Sequence, residues 1–195
     1  MPRITGASLA EHVADQRAAA FTAAIELFVE RGYEQVTLGD IAARIGLARN
    51  SLYRYFPDKA HILLSWFEQE VPAQVRRTAE ILGGSGSAPD RIRAWVRDQI
   101  DYARRPEHVL MSRIGTLVPE LDPEARAQLV TAHDQLVAPL YDVLAQAGVR
   151  ESDRQMVAEM IQGVVIVAAR HIDRGTPTAD ALRLVDHAVA GLLAH

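Results

Sequence analysis

Apolar positions along this chain recur every three to four residues, and no stretch alternates apolar with polar for long. That spacing predicts helices throughout, separated by turn residues. Ser8-x-x-Glu11 reads as a capping box opening a first helix, with Phe21, Ala24, Ile25 and Phe28 as its buried stripe and Gly32 as its stop. Thr37 is placed to cap a short helix that turns Ile41, Ala42 and Ile45 inward and ends at Gly46. A third short helix runs to about Phe56, with Leu52 and Phe56 on one face. Pro57-Asp58 breaks the chain, and Asp58 caps a long fourth helix carrying Ile62, Leu63, Trp66 and Phe67. Pro72 is expected to kink or end it. Residues 83–87, GGSGS, form the clearest loop, and Ser87 to Asp90 restart the helix. Further helices are expected near 89–104, 107–117, 122–147, 152–174 and 178–193. Their signals are Asp122-Pro123 as a start, Pro139 as a kink, Ser152-x-x-Gln155 as a capping box, Gly175 as a stop and Pro177-Thr178 as the last start.

The result is an all-α chain of about nine helices. Residues 8–60 make a three-helix first domain, and residues 61–195 make a second helical domain. Within the first, positions 37–56 hold a short helix, a glycine turn and a second short helix, which is the pattern of a helix-turn-helix. Gly46 permits the positive φ of the tight turn. Ala42, Ile45, Leu47 and Leu52 let the two helices pack. The outer face of the second helix is left to Arg49, Asn50, Ser51, Tyr53 and Arg54. An arginine can pair with guanine and an asparagine with adenine in a major groove.

Charge sharpens this picture. The 195 residues carry a net charge of −4, which alone argues against a nucleic-acid partner. Residues 1–60 are balanced, with seven basic and seven acidic side chains. Between 44 and 59, Arg44, Arg49, Arg54 and Lys59 face only Asp58. Phosphate contact depends on such local charge rather than on the total.

The segment FVERGYEQVTLGDIAARIGLARNSLYRYFPDK, residues 28–59, resembles the DNA-binding domain of the TetR family of regulators. Phe28, Gly32, Tyr33, Thr37, Ile41-Ala42, Gly46, Leu52-Tyr53, Phe56 and Lys59 carry the match. The resemblance implies phosphate contacts from Thr37, Tyr53 and Lys59, and base or sugar-edge contacts from positions 49–51 and Tyr55. Arg44 joins the DNA-binding set by its charge. One departure is that Ala48 precedes the recognition helix where the family usually has a serine-like cap, at a cost of roughly 1 kcal/mol.

Beyond residue 60 the pattern of apolar positions is the guide. From Met156 to Ala169 apolar residues surround the helix, which predicts burial on all sides. In the last helix Leu182, Val185, Val189 and Leu192 form one stripe, and Leu184, Ala188 and Gly191 a second. The expectation is a two-fold homodimer whose interface includes Met160, Val164, Val167, Leu184, Ala188 and Gly191. Two recognition helices would then meet a near-palindromic double-stranded operator. Trp66, Trp95, Tyr102, Met111, His133 and Tyr141 are large groups in apolar contexts and are candidates for a small, apolar effector; Arg113 would suit an acidic one.

No metal-ligand spacing such as H-E-x-x-H, no G-x-S-x-G and no phosphate-binding glycine loop occurs, so neither a metal, a cofactor nor catalysis is expected. The chain has no cysteine, and the longest uncharged apolar run is too short to span a bilayer. With no signal-peptide pattern, a cytoplasmic protein without membrane attachment is expected. The leading expectation is a DNA-binding regulator, a repressor released by its effector. The alternatives are a helical ligand- or partner-binding module without DNA binding, and an all-helical enzyme.

Overall fold

The computed structural model describes residues 6–111, 113 and 123–194, with all side chains in that range except those of residues 6–9, Ala125 and His133. Among the described residues there are eight α-helices and no strand. They are α1 Gly6–Arg31, α2 Leu38–Arg44, α3 Arg49–Leu52, α4 Lys59–Leu82, α5 Ala88–Ala103, α6 Pro123–Gln146, α7 Arg154–Asp173 and α8 Thr178–Leu192. Residues 112 and 114–117 of the expected 107–117 helix, and the Asp122 start signal, lie outside the described residues. No helix among those described is long and apolar enough to cross a membrane.

The chain divides into two compact units, Met1–Gln69 with Val109–Asp122, and Glu70–His108 with Pro123–His195. The division falls inside α4. In the first unit α2 packs on α1 and α3. The buried stripe of α1 is Ala20, Ala23, Ala24, Leu27 and Phe28; Phe21 and Ile25 lie only half-buried at its edge. Ser8 lies inside α1 rather than before it, so it opens no helix. Gly32 stops α1 at φ 84, and Tyr33 tucks against Phe28 with ring centroids 5.0 Å apart.

In the second unit α7 is central, packed by α5, α6 and α8. Val157, Ile161, Val165, Ala168 and Ile172 form its buried face, against Ile92, Val96 and Ile100 of α5 and Val185 and Val189 of α8. Each valine or isoleucine among them contributes roughly 1.5–3 kcal/mol through burial. The opposite face of α7 is exposed, so within one chain this helix is buried on one side and not on all. Met160, Ile166 and Val167 are 47, 55 and 46% exposed, and Leu184 of α8 is 60% exposed.

Of the local signals in this chain, the cap at Ser152 and the stop allowed at Pro72 do not form. Pro72 lies inside α4 and Pro139 inside α6, and neither ends its helix. The carbonyls they leave unbonded belong to Glu68 and Gln135, which face solvent, so water can satisfy them. Ser152 caps nothing: its hydroxyl donates to Asp153 at 2.9 Å, and α7 starts without a side-chain cap. Ser87 does cap α5, accepting from the Asp90 N–H at 3.3 Å. Arg91 then reaches back, donating to the Leu82 carbonyl at the end of α4. Gly175, at φ 100, closes α7 with the Thr176 N–H donating to the His171 carbonyl at 3.0 Å.

Candidate nucleic-acid interface

The interface begins with the cap of α2. The Thr37 hydroxyl accepts from the Asp40 N–H at 3.2 Å and donates to the Asp40 carboxylate at 2.6 Å. That carboxylate also accepts from the Thr37 N–H at 2.8 Å, completing a capping box. The bond from the Thr37 hydroxyl, then the one from its N–H, hold the Asp40 carboxyl below its ordinary range. Thr37 remains exposed, but its hydroxyl proton is committed to Asp40.

Helix α2 ends as its glycine requires. Gly46 sits at φ 69, and the Leu47 N–H donates to the Ala42 carbonyl at 2.8 Å. Ala48 then opens α3 with no side-chain cap, as its sequence implies. The regular helix covers only Arg49–Leu52. Hydrogen-bonded turns carry the chain on to Phe56, whose N–H donates to the Leu52 carbonyl at 3.1 Å. The α3 region is thus shorter as a helix than the expected run to Phe56.

Its outer face collects Arg49, Asn50, Tyr53 and Arg54, all exposed, beside half-buried Ser51 and Tyr55. Arg49 donates to the Tyr53 hydroxyl at 3.2 Å and lies over that ring at 5.9 Å. This i, i+4 pair holds the guanidinium up from the helix start. Asn50, Ser51 and Arg54 make no side-chain hydrogen bond or ion pair among the described residues. Gly39 of α2 lies against this face. A Cβ there would stand 3.4 Å from the Thr37 hydroxyl oxygen and 4.0 Å from Arg49 Cδ, so a glycine leaves room where those two meet. Sequence reasoning missed Gly39, whose only signal is its place in the first turn of a helix.

Besides Arg49, two more of the four basic residues are engaged internally. Arg44 pairs with Glu30 at 2.8 Å and Glu26 at 3.5 Å, tying α2 to α1. The Lys59 ammonium donates to the Tyr33 carbonyl at 2.9 Å and sits 4.2 Å from the Tyr33 ring centroid. It therefore fixes the start of α4 to the 33–35 turn, with an N–H left over. Asp58 caps α4, accepting from the His61 N–H at 2.9 Å. Arg17 of α1, also missed from sequence, lies 5.0 Å over the Phe56 ring. What remains is a compact donor-rich surface: Arg54, and Arg49 with the N–H groups it does not give to Tyr53, for phosphates or guanine, and Asn50 and Ser51 for base edges.

Residues 21–65 match the family described as bacterial regulatory proteins, tetR family, which covers α1 from Phe21 through the start of α4. This chain carries a domain of the tetR family at residues 21–65. It is a DNA-binding transcriptional regulator. Over 162 residues it is 26% identical to the HTH-type transcriptional activator FasR of Mycolicibacterium smegmatis, covering 80% of this chain and 72% of that one. A TetR/AcrR-family regulator from Thermobifida fusca is 26% identical, with a TM-score of 0.62 over 92% of this chain and 97% of that one. FadR of Bacillus subtilis, solved in complex with stearoyl-CoA, shares the fold at 19% identity, with a TM-score of 0.66 over 91% and 97% of the two chains.

TetR-family likeness does not by itself gather the effector candidates. Trp66, buried, and Met111, half-buried, belong to the first unit; Trp95, Tyr102 and Tyr141 belong to the second. The His133 side chain lies outside those described. Trp95 is a core residue whose indole N–H donates to Thr78 at 3.2 Å. Tyr102 is buried with an unpartnered hydroxyl, and burial, followed by the nearby Glu70 charge, pushes its pKa well above the ordinary value. With Gln74, whose side-chain oxygen is also buried and unpartnered, it lines a cavity of about 70 Å³ that suits ordered water. Arg113 lies 3.8 Å from Glu34. The interface candidates do converge: Met160, Val164, Val167, Leu184 and Ala188 line one apolar groove of about 720 Å³ between α7 and α8, while Gly191 stays exposed outside it.

Proposed function

We propose that this regulator acts as a homodimer whose two recognition faces bind a near-palindromic operator and whose second unit takes a small-molecule effector. The observation that carries the reading is the exposed donor face of Arg49, Asn50 and Arg54, with half-buried Ser51 beside them, on a capped helix-turn-helix. Arg44 and Lys59, being bonded internally, serve mainly to set that face, and Thr37, Tyr53 and Tyr55 flank it for backbone contact. The α7–α8 groove supports the dimer: its apolar wall would be costly to leave in water, and a second copy offers a matching surface under two-fold symmetry. Half-sites would then lie about one helical turn apart.

The effector reading draws on the stearoyl-CoA bound by the FadR relative and on the separate core of the second unit. A ligand changes DNA affinity only through a difference in its affinity for the two forms of the dimer. Repression is the simplest direction, because occupying an operator needs no further contact; the FasR relative is named an activator. A mobility-shift assay on the chain's own upstream DNA tests the reading. Sequence-selective binding that falls with salt supports it, and binding indifferent to sequence overturns it. A reporter that rises when the regulator is deleted marks repression; one that falls marks activation.

A further inference from the structure

A second cavity of the C-terminal unit has a different chemistry from the apolar groove. It holds about 300 Å³ and is lined by Ala103, His108, Ile166, Ala169, Arg170, Asp173 and Arg174. Arg170 and Arg174 stand one turn apart at the end of α7, and neither has a carboxylate partner among the described residues. The one acid in the lining, Asp173, is already matched by Arg104 at 2.8 Å. His108 is half-buried, with its ring against the Tyr102 edge at 5.1 Å and no hydrogen bond to either nitrogen. Between these groups Ala103, Ala169 and Ile166 supply an apolar floor.

We infer that this cavity binds a small organic anion, a carboxylate with a short apolar body. Two unmatched guanidiniums on one side demand a negative group, and a planar carboxylate meets a guanidinium through two hydrogen bonds. The apolar floor excludes a bare inorganic ion as the best fit, and the volume lies at the small end of ligand pockets. The arginines also complement the carbonyl end of α7, but that role needs neither the cavity nor His108 across from it. Binding here stands on the lining itself; only its effect on DNA rests on the effector reading above.

Calorimetry of the full chain with octanoate, octanol and inorganic phosphate tests the inference. Octanoate should bind at least tenfold more tightly than either of the others. The Arg170→Gln/Arg174→Gln variant should lose roughly tenfold or more of that affinity, one strong charge-assisted pair being worth about that factor. Both arginines are exposed, so the variant should keep its helical circular dichroism. No octanoate binding, phosphate binding as tightly, or unchanged octanoate affinity in the variant overturns the inference. A mobility shift run with octanoate reads the other question: binding at the arginines without any change in DNA affinity leaves the anion site standing and removes it as an effector site.

Discussion

The two units of this chain carry function in different ways. In the first, the functional surface is a local object. Thr37, Asp40, Gly46 and Arg49 lie within 13 residues, and each acts through its own backbone or a neighbour three or four positions away. In the second, every functional candidate is non-local. The 720 Å³ groove needs two helices, and the 300 Å³ cavity draws on α5, the 106–108 turn and α7. A local device can be read from residue order, whereas a cavity exists only after packing. The same contrast separates how each unit should respond to substitution.

The largest effect should come from the groove. Leu184→Glu places a carboxylate at a position exposed in one chain yet central to the proposed two-fold contact. The charge appears twice under symmetry, and like charges brought together at an interface cost several kcal/mol. Sedimentation should show the 21.4 kDa monomer, with an operator affinity about a hundredfold or more lower. A variant that stays dimeric would show that the second unit's function does not lie in this groove.

The next effect belongs to the recognition face. Arg49→Ala should cost about 1–3 kcal/mol of operator binding and relax preference at one base position. Arg54→Ala should weaken binding to all sequences alike and reduce the salt slope by about one contact. Equal behaviour of the two in a mobility-shift series would dissolve the division between base and phosphate contacts.

These contrasts also explain what could be read in advance. The cap at Thr37, the turn at Gly46, the uncapped start at Ala48 and the helix order were legible because each depends on short-range backbone chemistry. The α1 stripe was read imperfectly because the helix packs through small Ala20 and Ala23 as well as Leu27, and alanines carry little hydrophobic signal. Ser8 and Ser152 fit the capping spacing, yet Ser8 falls within a helix and Ser152 bonds its neighbour. Arg44 and Lys59 looked like free charge because Glu26, Glu30 and the Tyr33 carbonyl are 14 to 26 positions away. The Arg170 and Arg174 cavity left no trace in sequence, since it closes only where Ala103 and His108 of other elements pack beside α7.

A smaller test concerns the turn. Gly46→Ala keeps open space around the new Cβ but forces a left-handed backbone at φ 69. The cost is conformational alone, about 1 kcal/mol. Thermal unfolding should fall by a few degrees, with operator binding weakened in step. A change of the same size at exposed Gly191, in the regular helix α8, should instead stabilise, because alanine is the better helix former there.

The smallest effect is acid-dependent. Asp40 has its carboxyl lowered from an ordinary 3.8 by the Thr37 hydroxyl first, and Glu30 has its own lowered from 4.5 by the Arg44 hydrogen bond. A carboxyl whose folded pKa is depressed adds stability that is present above its unfolded value and lost as pH falls through the folded one. Glu30 is exposed and Asp40 only half-buried, so each contribution is small and screened by salt. Thermal unfolding should therefore hold steady from neutrality to just above 4.5 and decline below 3.8. Asp40→Asn keeps an oxygen for the Thr37 N–H but no charge, so its decline in acid should be shallower than that of the parent chain. Equal acid sensitivity in both proteins would assign the loss to other carboxylates, Glu30 of α1 and Asp90 at the start of α5 among them, rather than to the capped turn that presents the recognition face.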